Sequence, residues 1–439
     1  MAIQVTEKFA SQIVDLRSAT TNLPKDTSEF VSELRQMASD RLSTLSFPTT
    51  KDEEWKYTDV SSLKNLTFIS QSATSEDVKA LIAKHSATEA ANLIVFVNGK
   101  YSEQFSNITG AAQGLVIGTL ATLGDRVLPK LRSHLAQHSD THDYFASLNT
   151  ACMEDVAIAI VPKNLVVEKP IQFLFVSTPQ SSTARLLTQP RCLVIAEAYS
   201  NLTFIQTFAG NDDQPYFSNT VTEVWLAEGA QVNHTEVQWQ GSRAIHINTT
   251  AIAQARNSVY KNQSISIGAK ISRQNLIVHQ MAEQTETSLT GLAFIDGEQL
   301  ADTHSVIAHN YPHGSSKQLH KCIADGRSHA IFNGKIQVAK LAQQTDSAQL
   351  SRNLLLSSKA RVDTKPQLEI FADNVKCAHG ATVSQLEAEE IFYLQSRAIG
   401  AESAANLLTY AFATEAIAQI PILSVQRSLS DFVLEKTKA

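Results

Sequence analysis

From about residue 156 to about 394, short β-branched runs alternate with small polar turns, and no long helical stretch interrupts them. That texture constrains the fold more than any other feature of the chain. Residues 156–161, 171–176, 192–196, 202–207 and 221–226 are strand candidates. Residues 232–239 alternate with period two, as one strand with two unlike faces does. Turns are expected at Glu228-Gly229-Ala230, Gly268, Asp296-Gly297, Asp325-Gly326 and Asn333-Gly334. So many short strands in a row predict one all-β body. A sandwich or barrel satisfies that pattern, and so does a solenoid of stacked parallel strands. No strict repeat length in the sequence decides between them.

The flanks read differently. Asp26 with Glu29 three residues on predicts a helix start. Phe30, Val31, Leu34, Met37, Ala38, Leu42 and Leu45 then recur at helical spacing until Pro48. Residues 93–97 predict a strand entering a hairpin at Asn98-Gly99, and residues 123–137 a further helix. Beyond Arg397, Ala404, Leu407, Leu408, Ala411 and Phe412 form one apolar stripe. After Pro421, Ile422, Val425, Leu429, Phe432 and Val433 form another. Two helices there are expected to cap an open end of the β body, or else to offer a partner a docking face. The organisation expected is a mainly helical α/β region over 1–150, a β core over 151–396 and a helical domain over 397–439.

Composition closes off several functions. A net charge of −6 argues against broad nucleic-acid binding. No apolar run approaches the roughly 20 residues of a membrane span. Residues 1–7 carry no basic stretch followed by an apolar one, so no signal peptide is expected and a cytoplasmic location is. Cys152, Cys192, Cys322 and Cys377 are far apart, and reduced thiols are expected. The chain has neither a phosphate-cradling Gly-rich loop nor a Gly-x-Ser-x-Gly elbow. A self-sufficient enzyme is therefore not expected.

The chemistry concentrates in Lys376-Cys377-Ala378-His379-Gly380-Ala381-Thr382. On a strand, Cys377 and His379 point to the same face. A thiol beside an imidazole suits iron, zinc or copper(I) rather than magnesium or calcium. Two ligands leave a site open, so the remainder is expected from elsewhere, such as another subunit. His304, His309, His313, His320 and His329 also crowd together, but their spacing fits no compact metal set. They are expected to be polar surface and turn residues of the β body. Trp55, Lys56 and Tyr57 read as a packing anchor.

Around this segment lie Asp363-Thr364-Lys365-Pro366-Gln367-Leu368-Glu369-Ile370 before it and Glu390-Ile391-Phe392-Tyr393-Leu394-Gln395-Ser396-Arg397 after it. Upstream stand Glu54-Trp55-Lys56-Tyr57-Thr58-Asp59 and Val95-Phe96-Val97-Asn98-Gly99. Together these closely resemble the SufD family of iron–sulfur cluster assembly proteins. The sister family SufB shares the Ile-Phe-Tyr-Leu segment but lacks the Lys-Cys-x-His-Gly-Ala-Thr run. The resemblance implies a mainly β chain with a right-handed parallel β-helix core. It also implies a non-catalytic scaffold in complex with SufB and with SufC, an ABC-type ATPase that hydrolyses the ATP. In that picture SufB and SufD pair through their β-helices, and each carries SufC on its carboxy-terminal helices. A transient cluster or iron sits at the SufB–SufD interface, with His379, and Cys377 beside it, on this side. Alone, such a chain is expected to be able to form a homodimer.

Two rival functions remain at this level. One is a β-helical polysaccharide-processing enzyme using Asp363, Glu369 and Asp373. The other is a purely structural partner of SufB with no ligand role.

Overall fold

The computed structural model describes residues 9–16, 23–71, 75–109, 114–137, 143–180, 184–211 and 214–438. Residues 1–7 thus lie outside the described residues. Strands dominate, and from Asn201–Gly210 onward they alternate between two sheets, each of 11 strands. Every second strand stacks in parallel on the one two before it. In one sheet, Asn201 pairs with Gln231, then Val259, Glu286, Ser315, Asp346 and Lys376 in turn. Those steps are 30, 28, 27, 29, 31 and 30 residues, which makes the body a parallel β-solenoid with two strands per coil. The sandwich-or-barrel alternative is thereby excluded. The unequal coils also explain why no repeat shows in the sequence: backbone hydrogen bonds hold the register whatever the turn length.

The corners use residues that tolerate a left-handed backbone. Gly229, Gly268, Gly297 and Gly326 all have φ between +59° and +94°. Asn333-Gly334 is not a turn, contrary to expectation, but lies inside the strand His329–Val338. Gly334 is needed there for space: a Cβ would collide with the side chains of Gln349 and Phe332. Its neighbour in register is Pro366, on the strand Arg361–Ile370. That strand is the last of its sheet, the place where a missing N–H is tolerated.

The solenoid interior changes character along its length. Near its start it is aromatic, with Phe175 stacked on Phe208 and Phe173 edge-on to Phe204. Further along it becomes polar. Glu236 accepts from Asn248 and Gln274, and Gln318 bonds Ser305 across the gap and Gln349 on the next coil. Helices cover the outer faces. The helices Lys25–Thr44 and Tyr144–Ala151 pack over the first coils of one sheet, burying Phe217, Ile245, Leu193 and Ile195.

The start of Lys25–Thr44 differs from expectation. Pro24 is its cap position, and Asp26 sits in the first turn without capping. The free N–H of Thr27 is instead satisfied by Asp125, 2.9 Å away and 98 residues along. The predicted helix over 123–137 is broken into a short 3-10 turn and the helix Leu128–His134. Gly124, at φ 50°, lies at that break, tight against Pro24. The hairpin at Asn98-Gly99 forms as expected, with both residues at positive φ.

The carboxy-terminal helices Ala401–Ile417 and Leu423–Lys438 do not cap the solenoid end. They lie along its side, over Ile205, Val237, Ile265, Leu292, Phe294 and Ile323 of the sheet that contains Asn201–Gly210. The stripe of the first helix is also shifted: Thr409, Ala413, Ala416 and Ile417 are buried, whereas Leu407 is exposed. That of the second is as read, with Ile422, Leu429 and Val433 buried. Among the described residues no helix is long and apolar enough to cross a membrane.

Candidate functional site at the open end of the solenoid

The last coil consists of the strands Arg361–Ile370 and Lys376–Ser384. No further strand stacks on either. Register decides what their side chains face. Ser347 pairs with Cys377 and Gln349 with His379. Ser347 and Gln349 point into the solenoid and are each 2% exposed, covered by the coil that follows. Cys377 and His379 continue the same inward columns, but no further coil covers them among the described residues. His379 is exposed and Cys377 half-buried. The spacing prediction is therefore realised: one strand places thiol and imidazole on one face, about 7 Å apart along the backbone.

The two donors sit in different surroundings. Cys377 packs beside Leu368 and Val375 against Ile336, Val338, Ala342 and Ala372, a small apolar cluster that closes the end of the core. That burial, with the Asp346 carboxylate nearby, pushes its thiol above the usual range. A soft cation would have to displace this proton to bind. The other three cysteines, Cys152, Cys192 and Cys322, are buried and outside any disulfide, as small apolar side chains are. Among the described residues, no three His, Cys, Asp or Glu side chains come together as a metal site. The open coil thus presents a thiol and an imidazole beside unpaired strand edges.

The other sequence-predicted residues are placed otherwise. The histidine cluster is a surface and turn feature only in part. His309 and His320 point into the solenoid, the first bonded to Ser316 and the second stacked 4.5 Å from the Phe332 ring. Desolvation lowers both to about 4, so they stay neutral. His313 is a turn residue with φ 61°. His304 and His329 lie on the outer face, 3.0 Å from Asp302 and 2.7 Å from Asp363. Trp55 is a packing anchor as read, buried against Phe145 and under the Arg273 guanidinium, 4.0 Å away.

The proposed glycosidase acids do not converge. Asp363 is tied to Arg361 and His329, and Glu369 to Lys335 and Gln337. Six residues apart on one strand, they are about 20 Å apart, whereas such a carboxylate pair lies about 5–10 Å apart. Asp373 is in an exposed turn. The polysaccharide-processing reading is excluded on this geometry.

Two clusters escaped the sequence reading. The buried acid Glu236 faces the solenoid interior, although its period-two strand gives no hint of which face is inside. A second cluster joins Glu54, Arg273, Asp302 and His304, residues up to 250 apart in sequence. Only pairing of the coils brings these together.

The architecture agrees with comparisons to known proteins. Residues 178–412 match the family model described as SUF system FeS cluster assembly, SufBD core domain. Residues 7–173 match the SufBD protein N-terminal region. An iron–sulfur cluster assembly SufBD family protein of Synechocystis is 41% identical over 92% of this chain and 90% of its own length. The chloroplastic protein ABCI7 of Arabidopsis thaliana is 31% identical over 95% of this chain and 88% of its own. Escherichia coli SufD is 29% identical over 84% of each chain. Two-strand coils, an uncovered last coil carrying Cys377 and His379, and family models spanning nearly the whole length lead to one conclusion: the chain belongs to the SufBD family of iron–sulfur cluster assembly proteins.

Proposed function

We propose that this chain is a SufD-type scaffold subunit, which docks its open last coil on a SufB-type partner and contributes His379 and Cys377 to the site where a cluster is built. The observation that carries this reading is that the two inward-facing donors of the final coil are left uncovered, while their counterparts one coil back are buried. A β-solenoid of the same kind, abutting this end, would enclose them and supply further ligands. Ligands divided between two chains hold iron and sulfide when the chains are together and release them when the chains part. An imidazole among thiolates also changes the charge and potential of the cluster. The lack of a phosphate-cradling loop in this sequence leaves ATP hydrolysis to a SufC-type ATPase. That subunit would dock on the carboxy-terminal helices, where Leu407 and Leu423 are exposed.

His379→Ala is expected to impair cluster assembly in cells while leaving the complex intact, because one ligand is lost from an interface of many residues. Cys377→Ser is expected to be milder, since half of the thiol's environment is apolar packing. The measurement is iron and sulfide content, together with the recovered subunits, of the complex purified from cells carrying each variant. Normal iron, sulfide and growth in His379→Ala, with normal complex recovery, would leave this subunit as a purely structural partner.

A further inference from the structure

The motif Glu54-Trp55-Lys56-Tyr57-Thr58-Asp59 has a role beyond anchoring the amino-terminal region. Its 3-10 turn, Glu53–Trp55, arches over the outer face of the sheet that contains His329–Val338 and leaves a chamber of about 340 Å³ beneath it. That is within the size of small-molecule sites, about 300–1,000 Å³. The floor is a column of side chains in register on successive strands, Asn275, His304 and Asn333. Trp55 and Glu54 form the roof, Arg273 one wall and Lys335 another.

The acids around the chamber are already engaged. Glu54 is held by His304 Nδ1 at 2.9 Å. Asp302 accepts from Arg273 at 2.6 Å and from Thr58, and its Oδ1 lies 3.0 Å from His304 Nε2. Asp143 accepts from the Ala146 N–H at the start of its helix. Unused capacity remains on donors and on two buried acceptors, Asp302 Oδ1 and Asn333 Oδ1. Asn333 is 7% exposed, yet its carboxamide bonds to no described residue, and its Oδ1 is buried without a partner. Arg273 spends Nε on Asn275 and Nη1 on Glu54, Asp302 and His304, so Nη2 donates to no described residue. Lys335 gives one contact, to Glu369 at 3.3 Å, and an ammonium has three donors. A buried amide left unpaired is costly to maintain. A polar ligand in the chamber would remove that cost.

We propose that this chamber binds a small hydroxylated oxyanion, a carboxylate or a phosphate ester, with the charged end on Arg273 and Lys335 and the hydroxyl on Asn333. The site lies on the outer face of the sheet, separate from the inward-facing Cys377 and His379. It therefore stands or falls independently of the role proposed for them.

The test is calorimetric titration of the full chain with malate, with glycerol phosphate and with inorganic phosphate. Malate or glycerol phosphate is expected to bind at millimolar concentration or below, and more tightly than inorganic phosphate, which lacks the carbon-borne hydroxyl. The arm that binds identifies the carboxylate or the phosphate source. Asn333→Leu, which fills the space, and Lys335→Gln, at the more accessible wall, are each expected to weaken binding at least about tenfold. Lys317→Gln, on the other sheet, should leave it unchanged. If Asn333→Leu fails to fold, Lys335→Gln decides alone, because its side chain is partly exposed. Absence of binding by both organic anions overturns the proposal. So does equal binding by wild type and Lys335→Gln, or inorganic phosphate binding as tightly as the hydroxylated anions.

Discussion

Single residues in this solenoid are governed by the coil above and the coil below. Glu236 shows the consequence most clearly. It is fully buried in the interior with amide and hydroxyl donors but no cation, and desolvation raises its carboxyl from 4.5 to about 7. The folded state therefore holds a proton that the unfolded state gives up. The stabilisation linked to that proton is complete below pH 4.5 and is lost as the pH rises through about 7. Urea unfolding of wild type and Glu236→Gln, compared from pH 4.5 to 8, is expected to show wild type losing on the order of 3 kcal/mol relative to the variant. Parallel pH profiles would mean that the carboxyl is not protonated inside. The interior histidines slope the other way. His234 and His246 are lowered by burial to about 3, so their contribution is present above pH 6.5 and lost as the pH falls through about 3. The difference between the two proteins cancels them.

At the scale of elements, the helix Ala401–Ile417 is held to the sheet by charge as well as by apolar contact. Lys321 is almost completely buried on the outer face, 3.9 Å from the Phe412 ring, with its ammonium 2.5 Å from Glu415. Arg352, the next residue up the same column, reaches the same carboxylate. Glu415→Ala would leave a buried ammonium with only an aromatic face. Because Glu415 is itself half-exposed, a loss of about 1–3 kcal/mol is expected, toward the low end for a broken buried pair. Lys321→Met, which keeps the shape without the charge, should be neutral or stabilising. Chemical denaturation of both variants checks this, and a Glu415→Ala midpoint equal to wild type would show that the pair carries no stability. The side-on packing also changes how partner docking has to be examined. Deleting the chain from Ala398 onward would strip Ile265, Leu292 and Phe294 of their cover and yield an aggregating β body. Leu407→Asp with Leu423→Asp leaves that cover in place, since both side chains face solvent. The double variant is expected to lose co-purification of the ATPase subunit while its thermal unfolding is unchanged. Retained co-purification would put the ATPase elsewhere.

The whole molecule is asymmetric from end to end. Its first coils are closed by the amino-terminal helices and by the strand Asn92–Val97, whereas its last coil is bare. Exposed Ile370, Phe371 and Val383 on that coil add apolar area beside unpaired strand edges, which is a template for another chain. Val383→Asp places a charge at the uncovered end of an inward column, stacked in register on Asn353. It is expected to abolish association through the end coil, seen as a smaller mass in light scattering and loss of the SufB-type partner on co-purification. An unchanged assembly would move the interface off this end.

Much of this was legible in the amino-acid sequence. Short strands, hairpin glycines and two helical flanks follow from local preferences, and Cys377 and His379 share a face because strand period two requires it. The tight segments around them were enough to indicate the family. Other features required the coils to be stacked. Coil lengths of 27 to 31 residues hide the repeat. Whether His320 or Glu236 faces inward depends on which side of a two-faced strand the partner sheet lies. Gly334 needs its glycine because of a glutamine on another strand, not because the chain turns there. Exposure of His379 depends on there being no coil after it. Local chemistry sets which conformations each segment prefers; only the pairing of distant segments determines what each side chain meets, and the site and the chamber both consist of such meetings.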